Sequence, residues 1–198
     1  MNLPDLLASE LRNRSIPVSQ DIEEKLVVYI QELERWNRAV NLTALRGVEL
    51  VRRLVVEPVW IGQQLQLSGT LADVGSGNGS PAIPLCLTRP ITHIDLIEAR
   101  VRRAAFLRHI TQTLDIKSVN VKNSRLEELE ASDAPVDWFS LQAVHPNALI
   151  LQAMKRLGTS TTRVVWITSV RQAPVPAADS ILVPGGNTLA WVFRLDQS

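Results

Sequence analysis

The sequence predicts an α/β protein, a mostly parallel sheet with helices on both faces beneath an N-terminal helical cap. Three observations carry this. The first 66 residues show helical periodicity, and no strand pattern appears before residue 70. From there on, short apolar runs alternate with helical stretches, as parallel strands joined by crossover helices do. Near the C-terminus two apolar runs flank Pro184-Gly185-Gly186-Asn187, a hairpin signal that gives the sheet an antiparallel edge. A cap over residues 1–66 and a core over residues 67–198 are expected to form one compact unit.

The elements follow in order. Residues 3–14 read as a short helix before Pro17. Ser19 caps a second helix reaching Arg38: Asp21, Glu23 and Glu24 fall in its first turn, where the dipole favours acids. Ile22, Leu26, Tyr29, Ile30, Leu33 and Trp36 form its apolar stripe. A third helix starts near Val48, and Pro58 is expected to end or kink it. Residues 70–74 form a strand running into Gly75-Ser76-Gly77-Asn78-Gly79, with a helix from about Pro81. A second strand spans 92–97. The helix over 101–114 is expected to bury Val101, Ala104, Ala105, Leu107, Ile110 and Leu114. Strands at 118–122, 136–141 and 163–170, a helix at 146–157 and hairpin strands at 181–183 and 188–194 bring the sheet to seven strands.

Composition narrows the function. The 198 residues are 45% apolar and 21% charged, which excludes a disordered or collagen-like chain. No uncharged apolar run reaches the roughly 18 residues of a membrane span. Asp5 and Glu10 stand where a secretory leader would be basic and then apolar, so a cytoplasmic location is expected. The single Cys86 can neither form an internal disulfide nor complete a zinc site, and no metal is expected. The net charge of +1 is not a nucleic-acid binder's footprint, but its distribution is uneven. Eight basic residues between 89 and 125 face three acidic ones, and most are Arg, whose planar fork suits phosphate.

The chemistry concentrates at Asp73 to Gly79. A glycine turn after the first strand lets a ligand approach the backbone at the carboxyl ends of the strands. The spacing is G-x-G-x-G, with Ser80 where a dinucleotide fingerprint needs its third glycine. Asp73 just before the turn repels a pyrophosphate and suits a cationic ligand such as S-adenosyl-L-methionine. Glu98, ending the second strand, is placed to accept from ribose hydroxyls.

At these residues the chain resembles the bacterial 16S ribosomal RNA (guanine-N7) methyltransferases, the glucose-inhibited division protein B family. The resemblance rests on Trp36-Asn37 with Asn41-Leu42-Thr43, on the turn with Ser80-Pro81-Ala82-Ile83-Pro84-Leu85, on Leu96-Ile97-Glu98, on Arg102-Arg103-Ala104-Ala105-Phe106-Leu107, and on Ser124-Arg125-Leu126-Glu127-Glu128. It implies a Rossmann-like class I S-adenosylmethionine-dependent methyltransferase fold and methyl transfer to N7 of a guanine in small-subunit ribosomal RNA. Asp73, Gly75, Gly77, Gly79, Ser80, Glu98, Leu126, Glu127 and Gln142 would hold the cofactor, with Glu98 on the ribose and Leu126 and Glu127 beside the adenine. Arg46, Arg52, Arg53, Arg102, Arg103 and Arg108 would face RNA, the partner being ribosomal RNA or the 30S subunit and the enzyme a monomer.

The chain also departs from the family. Arg53, Val56 and Glu57 replace a His and an Asp-Ser pair, Gln142 replaces an Arg, and Thr168-Ser169 replaces Lys-Gly. Guanine N7 has a lone pair and no proton, so its methylation needs positioning rather than a general base. Gln142 and His145 are the catalytic candidates. The alternative is a diverged cofactor-binding protein that leaves ribosomal RNA unmodified, as a non-catalytic module or a small-molecule methyltransferase. His93, His109, Trp36, Trp138 and Trp166 are read as structural or solvated, and Cys86 as core.

Overall fold

A computed structural model describes residues 2–130, 136–176 and 178–197. The cap holds α1 (Leu3–Asn13), α2 (Gln20–Val40), α3 (Gly47–Val51), a π-helical turn (Arg52–Val56) and α4 (Glu57–Gln64). The core alternates β1 (Gly69–Val74), α5 (Ala82–Thr88), β2 (Ile91–Ile97), α6 (Val101–Thr113), β3 (Val119–Lys122), β4 (Trp138–Gln142), α7 (Ala148–Leu157) and β5 (Arg163–Thr168). It closes with β6 (Asp179–Leu182) and β7 (Leu189–Arg194). Asn2 and Ser19 cap α1 and α2 by accepting from the Asp5 and Ile22 amides.

The seven strands lie in the order β3-β2-β1-β4-β5-β7-β6, with β7 antiparallel to both neighbours. Val74 pairs with Ile97 on one side and Leu141 on the other, and Gln142 pairs with Ile167. The carboxyl ends of β1, β2, β4 and β5 therefore meet at one edge, where the strand order reverses and a crevice opens. Alternation along the strands sends residues to two apolar clusters. Leu71, Val165 and Ile167 join the cap residues Leu7, Tyr29 and Leu33 on one face. Ala72, Val74, Val164 and Trp166 join α7 on the other. Asp73 shares the cap face with Leu71.

Three expectations are corrected. The helix does not end at Pro58; it runs to Gln64. The Glu57 amide bonds the Arg52 carbonyl five residues back, so a π turn absorbs the proline. Val101 is 68% exposed, because the first turn of α6 lies beyond the carboxyl end of β2 and the buried side begins at Ala104. His109 is not simply solvated: its Nε2 lies 2.6 Å from Glu32 Oε2, and its ring lies 5.1 Å from Trp36. Among the described residues no helix is long and apolar enough to cross a membrane.

Candidate cofactor and substrate site

The glycine turn is held by backbone bonds. The Gly75 and Ser76 amides both donate to the Ile97 carbonyl at 2.9 and 3.0 Å. Gly75 has φ +71°, and a Cβ there would lie 2.6 Å from Val144, so only glycine fits. Glu98 braces the turn: Oε2 accepts from the Gly77 amide (3.0 Å) and Oε1 from the Arg100 amide (2.7 Å). Each oxygen keeps a second lone pair, enough for ribose hydroxyls.

Asp73 is fully buried beneath the turn. Its Oδ1 accepts from Ser140 Oγ at 2.6 Å, but Oδ2 has no partner among the described residues, and neither does the buried Ser80 Oγ. Burial pushes the Asp73 carboxyl up to about 7, with the Glu98 charge adding to it, while the Ser140 and Ser76 hydroxyls pull it down. A buried carboxylate oxygen without a partner fits a cationic group brought by a ligand. Tyr29, from α2, donates to the Asn78 carbonyl at 3.0 Å and ties the cap to the turn. Burial, and then the charge of Asp73, pushes its phenol well up.

Above the turn opens a cleft of about 540 Å³. Its outer wall is the loop 41–45, its inner wall residues 142–144 and 167–169, and Arg53, Leu54 and Arg103 complete it. Asn37 anchors the outer wall, and Asn78, Arg46 and Arg103 add bonds to its carbonyls. Asn37 Oδ1 accepts from the Leu42 and Thr43 amides at 2.6 and 2.9 Å, and its Nδ2 donates to the Thr43 carbonyl at 2.8 Å. This explains the Trp-Asn and Asn-Leu-Thr segments physically: one residue shapes the loop that faces the turn. On the other side, Gln142 Nε2 donates to the Arg53 carbonyl at 3.1 Å. Arg53 Nε lies 3.5 Å from Glu57 Oε2, which accepts from Thr188 Oγ1 at 2.6 Å. Burial raises the Glu57 carboxyl, while Thr188 and Arg53 pull it down.

Gly75, Gly77, Ser80 and Gln142 line the cleft; Glu98 bonds the lining amide of Gly77, whereas Asp73 lies fully buried beneath the turn, off the lining, and bonds Ser140. Gly79 lies away from it, against Ile83, Tyr29 and Leu107. Leu126 is buried in the second apolar cluster and Glu127 is exposed; neither lines the cleft. His145 is exposed with its ring 5.1 Å from Trp166, outside the cleft lining. The loop 41–45 and Tyr29 are the site elements that motif spacing alone did not single out. The loop's signal was the Asn-Leu-Thr triplet, while Tyr29 stood in the apolar stripe of α2.

The six arginines divide. Arg53 and Arg103 lie in the cleft, and Arg103 Nη2 donates to the Asn41 carbonyl at 3.1 Å. Arg102 and Arg108 are exposed, as is Arg46, which donates to the Thr43 and Leu45 carbonyls. Arg52 instead grips Glu10, with Nε at 3.2 Å and Nη2 at 3.1 Å, and bonds Glu49. The Arg52 bonds pull the Glu10 carboxyl down, against its burial. Arg52→Ala is therefore expected to cost about 1–2 kcal/mol of stability in urea unfolding, since Arg14 still pairs with Glu10. Unchanged stability would contradict the pairing.

Residues 22–173 match the family described as GidB, rRNA small subunit methyltransferase G. A ribosomal RNA small subunit methyltransferase G of Halorhodospira halophila is 35% identical over 152 residues, 76% of this chain and 71% of that protein. The one of Shigella dysenteriae is 33% identical over 64% of this chain, and the match spans only 61% of that relative. A SAM-dependent methyltransferase from Aquifex aeolicus superposes with TM-score 0.58 at 13% identity, over 81% of this chain and 96% of that one. MtNAS, solved as a variant with S-adenosylmethionine, gives 0.59 at 14%, over 84% and 75%. At such identities these structures speak for the fold alone, a Rossmann-like sheet. The sequence matches go further: this chain belongs to the rRNA small subunit methyltransferase G family.

Proposed function

We propose that the chain transfers a methyl group from S-adenosyl-L-methionine to N7 of a guanine in small-subunit ribosomal RNA, acting as a monomer in the cytoplasm. The observation that carries the reading is the partnerless Oδ2 of buried Asp73 beneath the glycine turn, whose residues Gly75, Ser76 and Gly77 line a cleft with Arg53 and Arg103 in its wall. That oxygen suits the cationic methionine end of the cofactor, Glu98 suits its ribose, and the backbone at Gly75 and Gly77 lets the ligand approach closely. When bound, the cofactor supplies an electrophilic methyl group. The chain's own part is orientation and exclusion of water, because N7 offers a lone pair with no proton to remove. The exposure of His145 outside the cleft is consistent with chemistry that needs no base.

One observation favours the alternative, a cofactor-binding chain that leaves RNA unmodified. Arg52 and Arg103 bond internal partners, which thins the cationic rim. Incubation with methyl-labelled cofactor and 30S subunits, followed by mapping of the modified base, separates the two. Label on a guanine N7 is expected. Tight cofactor binding with no labelled RNA would establish the alternative.

A further inference from the structure

The π turn creates a vacancy in the backbone that a side chain fills. The Glu57 amide is spent on the Arg52 carbonyl, and Pro58 has no N–H, so the Arg53 carbonyl lacks a helical donor. Gln142 supplies it through Nε2, from the end of β4. Because a carbonyl accepts, the nitrogen end of the amide must face it, and Oε1 is the other end. Gln142 thus brings the cleft an acceptor whose orientation is fixed. Arg53 brings a donor. Its Nε lies 3.5 Å from Glu57 Oε2, itself held by Thr188, and Arg53 lines the cleft.

We infer that Arg53 and Gln142 read the Watson–Crick edge of the target guanine, Arg53 donating to O6 and Gln142 Oε1 accepting from N1–H. The inference rests on the guanine methyltransferase reading proposed above. Adenine presents the reverse pattern, an amino donor at position 6 and an acceptor at N1. Gln142 cannot turn its amide over to meet that pattern without abandoning the Arg53 carbonyl. Both contacts leave N7, on the neighbouring Hoogsteen edge beside O6, open to the methyl group. A site built to hydrogen-bond one pattern rejects the other strongly, because its buried polar groups are left unpaired.

The test uses subunits assembled on ribosomal RNA carrying guanosine, inosine or 2,6-diaminopurine at the mapped position. Inosine keeps O6 and N1–H; 2,6-diaminopurine replaces both. The unaltered enzyme is expected to methylate inosine within about tenfold of guanosine, and 2,6-diaminopurine on the order of a thousandfold less well in kcat/KM. Gln142→Leu and Arg53→Met are each expected to shrink that ratio to about tenfold by slowing guanosine. Equal use of guanosine and 2,6-diaminopurine by the unaltered enzyme overturns the inference alone, as does full discrimination surviving in both variants. No label in any of the RNAs overturns the underlying reading and the inference with it.

Discussion

Asp73→Asn is expected to raise the melting temperature of the ligand-free chain at pH 8 while removing most of its affinity for S-adenosyl-L-methionine. The Asp73 carboxyl is held near 7 in the folded chain against an ordinary value of 3.8. A raised carboxyl binds its proton more tightly folded than unfolded, so stability is lost as pH rises from about 4 to about 7. Across that window the loss approaches about 4 kcal/mol, at 1.36 kcal/mol per pH unit. A neutral amide keeps the Ser140 bond and avoids the buried charge, although its NH₂ inherits the partnerless position and trims the gain. The advantage should vanish near pH 4, where both chains are neutral. A cation bound at Oδ2 favours the ionised form, so the parent's affinity should climb with pH, by up to tenfold per unit, below pH 7 and level off above. In the variant it should be low and flat. A parent whose affinity does not change between pH 6 and 8 would refute the assignment of Oδ2 to the cofactor's cationic end.

Glu98→Ala should damage both stability and binding. Two backbone amides, Gly77 and Arg100, lose their acceptor at once. Each charged hydrogen bond contributes about 1.5–3 kcal/mol, and water entering the gap recovers part, so a loss of about 2–4 kcal/mol in urea unfolding is expected. Cofactor affinity should fall by roughly a hundredfold or more at 15 °C, where the variant stays folded, because the turn loses its brace and the ribose its acceptor. Calorimetric titration reads the second effect separately from the first. Affinity within threefold of the parent would mean that Glu98 only shapes the turn.

Much of this was legible in the chain itself, for physical reasons. The alternation of strands and helices follows from apolar periodicity, and Ser19 announces α2 as a capping side chain does. The pairing of Asp73 with a glycine turn, and of Glu98 with the next strand end, needed only local spacing. The failures share a different cause. Periodicity records which face is apolar but not which hydrogen-bond register a helix uses, so Pro58 read as an end or a kink with no way to choose. Arg52 finds Glu10 across 42 positions, a partnership that no local charge count contains. His109 meets Glu32 across 77. Val101 fits the stripe of α6 in sequence, yet the sheet below has already ended.

The π turn at Arg52–Val56 also sets how the cap tolerates insertion and deletion. One helical residue turns the chain by about 100°, so dropping a single residue there would return the segment to ordinary helix and swing position 53 away from the cleft. The buried length of α4 and the sheet could remain intact. In this stretch of the cap, residue count constrains the chain as tightly as residue type.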